Sequence, residues 1–167
     1  MSQPSATPMR KPRTDNRPLW DIVFGIWDYP AVLVAHDLKL FPLLAEQPRT
    51  PLEVCEARSL APRPAAALLA VCLSRVGARA GGLLHPHPLA EDYLLDSSPT
   101  YFGGDLDLTI THYAVWSFDS LKKAALTDTP QAYRGGREMF TSHEGHADLA
   151  RTFTRVMHSN SMVAALA

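Results

Sequence analysis

Residues Thr50–Pro86 read TPLEVCEARSLAPRPAAALLAVCLSRVGARAGGLLHP, and this stretch decides the fold. Thr50 is followed by Pro51 at a first helical position and by Glu53 three residues after the threonine. That is the capping-box arrangement, in which the hydroxyl and the carboxylate each satisfy an orphan backbone N–H at a helix start. The spacing predicts a helix over Thr50–Arg58, a brief turn at RSLAP, and a longer helix over Ala61–Val76. With Leu40–Glu46 ahead of them, these form a helix-turn-helix pattern. The Gly81-Gly82 pair then stands where a hairpin would turn, although Pro86 and Pro88 weaken any strand there. Helices followed by a short hairpin predict a winged helix in a mainly α chain.

On the N-terminal side lies LWDIVFGIWDYPAVLVAH, Leu19–His36, apolar on nearly every side. A helix that is hydrophobic all round must be covered all round. In a chain this short the cover is expected from a second copy, since a large apolar patch marks an association site. Trp20, Val23, Phe24, Trp27 and Leu33 are the expected interface; the alternative is a central helix wrapped by its own domain. Pro30 is expected to kink or restart this helix. The apolar run Ile22–Ala35 is short for a bilayer and holds Asp28 and Pro30, so no membrane segment is expected. Residues 1–18 are polar and Pro-rich and lack the apolar core of a signal peptide, which predicts a disordered tail.

On the C-terminal side Leu89–Leu95 adds one or two helical turns, and Asp96–Gly104 is a spacer of turn formers. A single helix is expected from Asp105 to Ala125, because Leu106, Ile110, Tyr113, Ala114, Ser117 and Leu121 keep helical spacing. TDTPQAYRGGREMFTSHEG reads as a loop. A last helix starts near His146, with Leu149, Phe153, Val156, Met157 and Val163 along one face. It ends on Ala-Ala-Leu-Ala without a stop signal, as though meant to run into something further.

Composition narrows the chemistry. The 167 residues are 46% hydrophobic and 20% charged with a formal net charge of -1, which suits a globular protein and disfavours a nucleic-acid binder. The second helix of the helix-turn-helix offers Arg63, Arg75 and a face of alanines, poor material for base edges or phosphates. Cys55 and Cys72 imply no disulfide framework, and a reduced, cytoplasmic location is the expectation. His143, Glu144 and His146 have the wrong spacing for a zincin, and His85 and His87 flank Pro86 without further ligands, so no metal site is expected. No nucleophile elbow, glycine-rich nucleotide loop or Walker loop occurs, and no catalytic residue is assigned.

Four segments together resemble a known family. LKLFPLLAEQPRTPLEVCEARSLAPRPAAALLAVCLSRVG is similar to its Leu-Gly-Ile-Phe-Asp-Leu-Leu…Thr-x-x-Glu-Leu-Ala stretch, and Pro88–Gly104 to its wing exit and spacer. WSFDSLKKAALTDTPQAY resembles its Trp-x-x-Leu…Thr-Gly-x-Pro segment, with Asp128 where glycine is common, and FTRVMHSNSM resembles its linker helix. The family is the S-adenosylmethionine-dependent small-molecule O-methyltransferases of the caffeate and hydroxyneurosporene type, and the resemblance is to their N-terminal dimerisation region.

The resemblance implies a disordered tail over 1–18, a winged-helix dimerisation domain over 19–100, and a helical extension with a linker helix over 101–167. That linker helix would lead towards a SAM-binding domain. The glycine loop that holds S-adenosylmethionine and the histidine base of the family are not found in this sequence, so the cofactor would come through a missing or partner domain. Trp116, Phe153, Met157, His158 and Ser161 would line the acceptor pocket. The implied partners are a second copy, a SAM-binding catalytic subunit and a small-molecule acceptor, without nucleic acid or membrane. The chain would be the dimerisation and acceptor-pocket half of a natural-product methyltransferase, truncated or split. The alternative is a small winged-helix regulator binding DNA or a hydrophobic ligand.

Overall fold

The capping box at Thr50 forms as its residues dictate. In the computed structural model, which describes residues 13–127, 129, 131 and 147–166, the Glu53 N–H donates to Thr50 Oγ1 at 3.3 Å. Thr50 N–H donates back to Glu53 Oε2 at 2.7 Å. Side chains at 116, 147–150 and 163 lie outside that description. Glu53 is held below the ordinary carboxylate value, chiefly by this backbone hydrogen bond and then by the Thr50 hydroxyl.

Mainly helical elements run in the order α1 Arg17–Asp37, α2 Leu40–Glu46, α3 Pro51–Arg58 and α4 Pro62–Arg75. Strands β1 Gly77–Ala80 and β2 Leu83–Pro86 follow, then α5 Pro88–Tyr93 and α6 Gly103–Thr111. A 3-10 turn, Tyr113–Trp116, precedes α7 Phe118–Thr127, and α8 is Ala147–Leu166.

The prolines do not prevent the hairpin. Gly81 and Gly82 take φ of 57° and 83°, the left-handed geometry of a two-residue turn whose twist suits antiparallel strands. The register pairs Gly77 with Pro86 and Ala80 with Leu83, so Pro86 falls at the end of β2 where a missing N–H costs least. Pro88 opens α5, a position proline favours. Arg49, between α2 and α3, exchanges both backbone hydrogen bonds with Leu84, at 3.1 and 2.7 Å, and so ties the hairpin to the helices.

Leu40, Val54 and Leu84, all fully buried, centre a core that α1 closes through Leu33 and Ala35. Leu33, expected on the association surface, is instead 4% exposed, because the last turns of α1 pack on α2, α4 and α6. Pro30 does not restart α1, which runs unbroken for 21 residues. At a rise of ~1.5 Å per residue its length is about 30 Å, so α1 is long and apolar enough to cross a membrane by length and composition alone. That revises the reading of Ile22–Ala35 as too short for a bilayer. The docked end of α1 carries buried His36 as well as Leu33, as a core helix does.

The helix expected over Asp105–Ala125 is broken. His112 ends α6, its Nδ1 3.1 Å from the Leu108 carbonyl, and Ser117 Oγ accepts from the Ser120 N–H at 3.3 Å to start α7. The apolar spacing survives the break, which is why spacing alone missed it. α8 begins where expected and docks on α6 at Gly104: a Cβ there would stand 2.8 Å from the Arg155 carbonyl and 2.9 Å from Ser159 Oγ. Val156 and Ser159 are buried at that crossing. Of the expected tail, 13–18 are described, and α1 already starts at Arg17; the loop histidines His143 and His146 and Glu144 lie outside the described residues.

Candidate functional site

α6 and α8, held close by Gly104, leave a groove of about 500 Å³ beside the α1–α2 turn. Each wall has an identifiable origin. From α8 come Thr154, Arg155, His158 and Ser159, one face of a helix at spacings of one and four. Asp107 enters from α6, and Tyr101 and Asp96 from the spacer before it. Lys39 comes from the α1–α2 turn, where it adopts φ 54°, a left-handed conformation uncommon outside glycine. That turn is fastened at both ends. Lys39 N–H donates to the His36 carbonyl at 2.9 Å, and the Lys39 carbonyl accepts from Arg58 Nη2 at 3.2 Å.

Behind the groove, His36 is 3% exposed and its Nε2 lies 2.8 Å from Asp107 Oδ1. A buried imidazole without a partner would cost free energy, and Asp107 supplies that partner. The same pair fixes the carboxylate that faces the groove. Tyr101 lies against it, ring centroid 6.4 Å from that of His36. Burial, then the negative charges of Asp107 and Asp96, push the Tyr101 hydroxyl above its ordinary value, while Arg155 opposes them weakly. Tyr101 therefore stays a neutral phenol able to donate or accept. A second tie joins α1 to α6: the Tyr29 hydroxyl donates to Thr109 Oγ1 at 2.9 Å.

Of the residues expected to line an acceptor pocket, His158 is in this groove. Phe153 is half-buried on α8, Met157 is 43% exposed and Ser161 is exposed, and none of these three lines the groove. Trp116 ends the 3-10 turn, and its side chain lies outside the described residues. Sequence reasoning missed Lys39, His36, Tyr101 and Asp107. A left-handed lysine and a long-range His–Asp pair leave no local pattern; the one available signal was His36 closing an apolar helix.

Four of the five expected interface residues share one surface. Trp20, Val23, Phe24 and Trp27 are 50%, 43%, 48% and 68% exposed on the first half of α1. Trp20 and Phe24 stack with ring centroids 5.6 Å apart. Leu19, Ile22 and Ile26 are exposed beside them, so the patch is far larger than an isolated surface leucine. Among the described residues no group of three or more His, Cys, Asp or Glu could hold a metal ion. Both cysteines are buried and free, and burial pushes the Cys72 thiol up to about 11.

No family model matches the chain, and a search of curated proteins finds no relative. Solved structures do match. Human N-acetylserotonin methyltransferase, in complex with SAM, is 22% identical with a TM-score of 0.71, over 92% of this chain and 48% of its own. The mitomycin 7-O-methyltransferase MmcR is 24% identical with a TM-score of 0.68, over 87% of this chain and 44% of its own. The pyocyanin biosynthetic protein PhzM is 19% identical with a TM-score of 0.73, again over 87% and 44%. The chain thus spans less than half the length of the structures it matches. It shares the fold of that part of these structures.

Proposed function

We propose that this chain is the dimerisation and acceptor-pocket part of a small-molecule O-methyltransferase that uses S-adenosylmethionine. The observation that carries the reading is the match of nearly the whole chain to less than half of such enzymes, at TM-scores of 0.68 and 0.71 for the two named as methyltransferases. In this reading α2, α3, α4 and the β1–β2 hairpin are a winged helix used for protein contact. The order of helices and hairpin supports that, and so does the Arg49–Leu84 pairing against the hairpin. The alanine-rich α4 and the net charge of -1 argue against the regulator reading, because phosphate contact needs clustered cations.

The first half of α1 is the contact surface for a second copy. Its large aromatics, exposed and contiguous, are the residue types that dominate association energies. α8 and α6 form the wall on which an acceptor rests, and a SAM-binding domain, on the same polypeptide or another, supplies the methyl donor and the base. The protein acts in the cytoplasm, where its two cysteines stay reduced.

The test is to pair this chain with the polypeptide encoded immediately downstream and assay transfer of labelled methyl groups from S-adenosylmethionine to a panel of phenols. Transfer that requires both pieces supports the reading. Tight binding of S-adenosylmethionine by this chain alone would contradict the division of labour. Salt-sensitive binding to random duplex DNA would instead favour the regulator.

A further inference from the structure

The exposed apolar residues on the first half of α1 form two stripes, not one. Trp20, Phe24 and Trp27 follow one another at spacings of four and three, and Leu19, Ile22 and Ile26 at spacings of three and four. At 3.6 residues per turn the two stripes lie about 100–130° apart around the helix. The second is as open as the first, with Leu19, Ile22 and Ile26 63%, 76% and 66% exposed. One facing element covers a stripe about 100° wide, so a partner that meets the tryptophans leaves the second stripe in water. Area leads to the same place. Three aromatics of about 150–250 Å² each, half to two-thirds exposed, offer on the order of 300 Å². A stable interface takes about 800 Å² from each partner, so most of the contact must come from elsewhere on the chain.

A second uncovered face of matching length lies on α7. None of its residues is buried, and Phe118, Leu121 and Leu126 are 77%, 73% and 75% exposed. Within the chain it packs chiefly on the 3-10 turn before it. Its ten residues are fewer than the roughly 12–15 at which even an isolated helix is marginal in water, so α7 needs cover as α1 does. Phe118, Leu121 and Ala125 repeat the three-and-four spacing of Leu19, Ile22 and Ile26, which gives two stripes of equal length. Among the described residues, the other large apolar side chains exposed outside α1 are scattered over α3, β2, α5, the 3-10 turn and α8. We infer that α7 of one copy packs on the stripe of Leu19, Ile22 and Ile26 in α1 of a second copy, while the two tryptophan stripes meet each other. A two-fold axis makes the α1–α7 contact twice, so the assembly closes as a dimer and leaves neither face in water. This pairing rests on the two-copy reading of α1 and adds the element that completes it.

The experiment mixes two full-length variants, Ile22→Cys and Leu121→Cys, carrying different mass tags, and treats them with a short bismaleimide. Cys55 and Cys72 are buried and stay out of the reaction while the chain is folded. A covalent product containing one chain of each tag, absent when Leu83→Cys replaces Leu121→Cys, is the expected result. In parallel, sedimentation of a Phe118→Ser, Leu121→Ser variant should show a dimer dissociation constant raised about tenfold or more. A wild-type dimer that gives no mixed product, or whose dissociation constant is unchanged by the α7 substitutions, overturns the α1–α7 pairing and leaves the two-copy reading of α1 standing. A wild-type chain that is monomeric overturns both.

Discussion

At Gly104 one added methyl group decides whether α8 can lie where it does. A Cβ would meet the Arg155 carbonyl carbon and oxygen at 2.8 Å, and helix backbone cannot step aside as a flexible side chain can. Gly104→Ala is therefore expected to cost about 1–3 kcal/mol, the usual range for overpacking, and to raise amide exchange in α8 more than in α4. Thr50 is a simpler case. Thr50→Ala removes the cap on α3 and should lower stability by about 1 kcal/mol in urea unfolding. Glu53 acts through its charge at the same place. Its folded pKa lies below the ordinary 4.5, so its contribution is complete above that pH and is lost as pH falls through the lowered folded value. Glu53→Gln should flatten this acid limb of the stability profile. Cys72, with its thiol pushed up to about 11 by burial, should react with thiol reagents at pH 8 only as the chain unfolds. The threonine cap could be read in the sequence because capping is local chemistry. Gly104 could not: at the end of the Asp96–Gly104 spacer it looks like any turn former, and its purpose appears only when α8 crosses it.

Elements were legible where their signals are short-range. α3 carries a side-chain cap, α3 and α4 open on proline, and α2, α3 and α4 all form within a residue or so of the expected bounds. The hairpin was harder to judge, because propensity counts Pro86 and Pro88 against it while the register places one at the strand end and the other in α5. Its worth lies in Leu84, fully buried between the hairpin and the helices. Leu84→Ala should cost about 2–5 kcal/mol in denaturant unfolding, against little for Leu83, which is partly exposed. The break between α6 and α7 went unread because apolar spacing continues across it, and the signal that marks it is the modest Ser117–Ser120 cap. α1 was legible as a helix needing cover. Which half needs it was not, since that depends on α2, α4 and α6 packing against Leu33 and Ala35 from far along the chain.

For the whole molecule, the sequence carried the class and the family likeness, while the groove was closed to it. His36 and Asp107 are 71 positions apart, and Lys39 and Arg155 line one groove only because α8 returns to α6. The apolar face of α1 is the feature most in need of an explanation at this scale. Trp20, Phe24 and Trp27 on one surface would be an association liability in a monomer and are an anchor in a dimer. The central claim is that this face joins two copies. Sedimentation equilibrium on the chain, beside a Trp20→Ser, Phe24→Ser, Trp27→Ser variant, tests it most directly. The account predicts a dimer for the first and a folded monomer for the second, with the same helical circular dichroism. A wild-type chain that stays monomeric throughout the micromolar range, or a variant that dimerises as well as the parent, would contradict it.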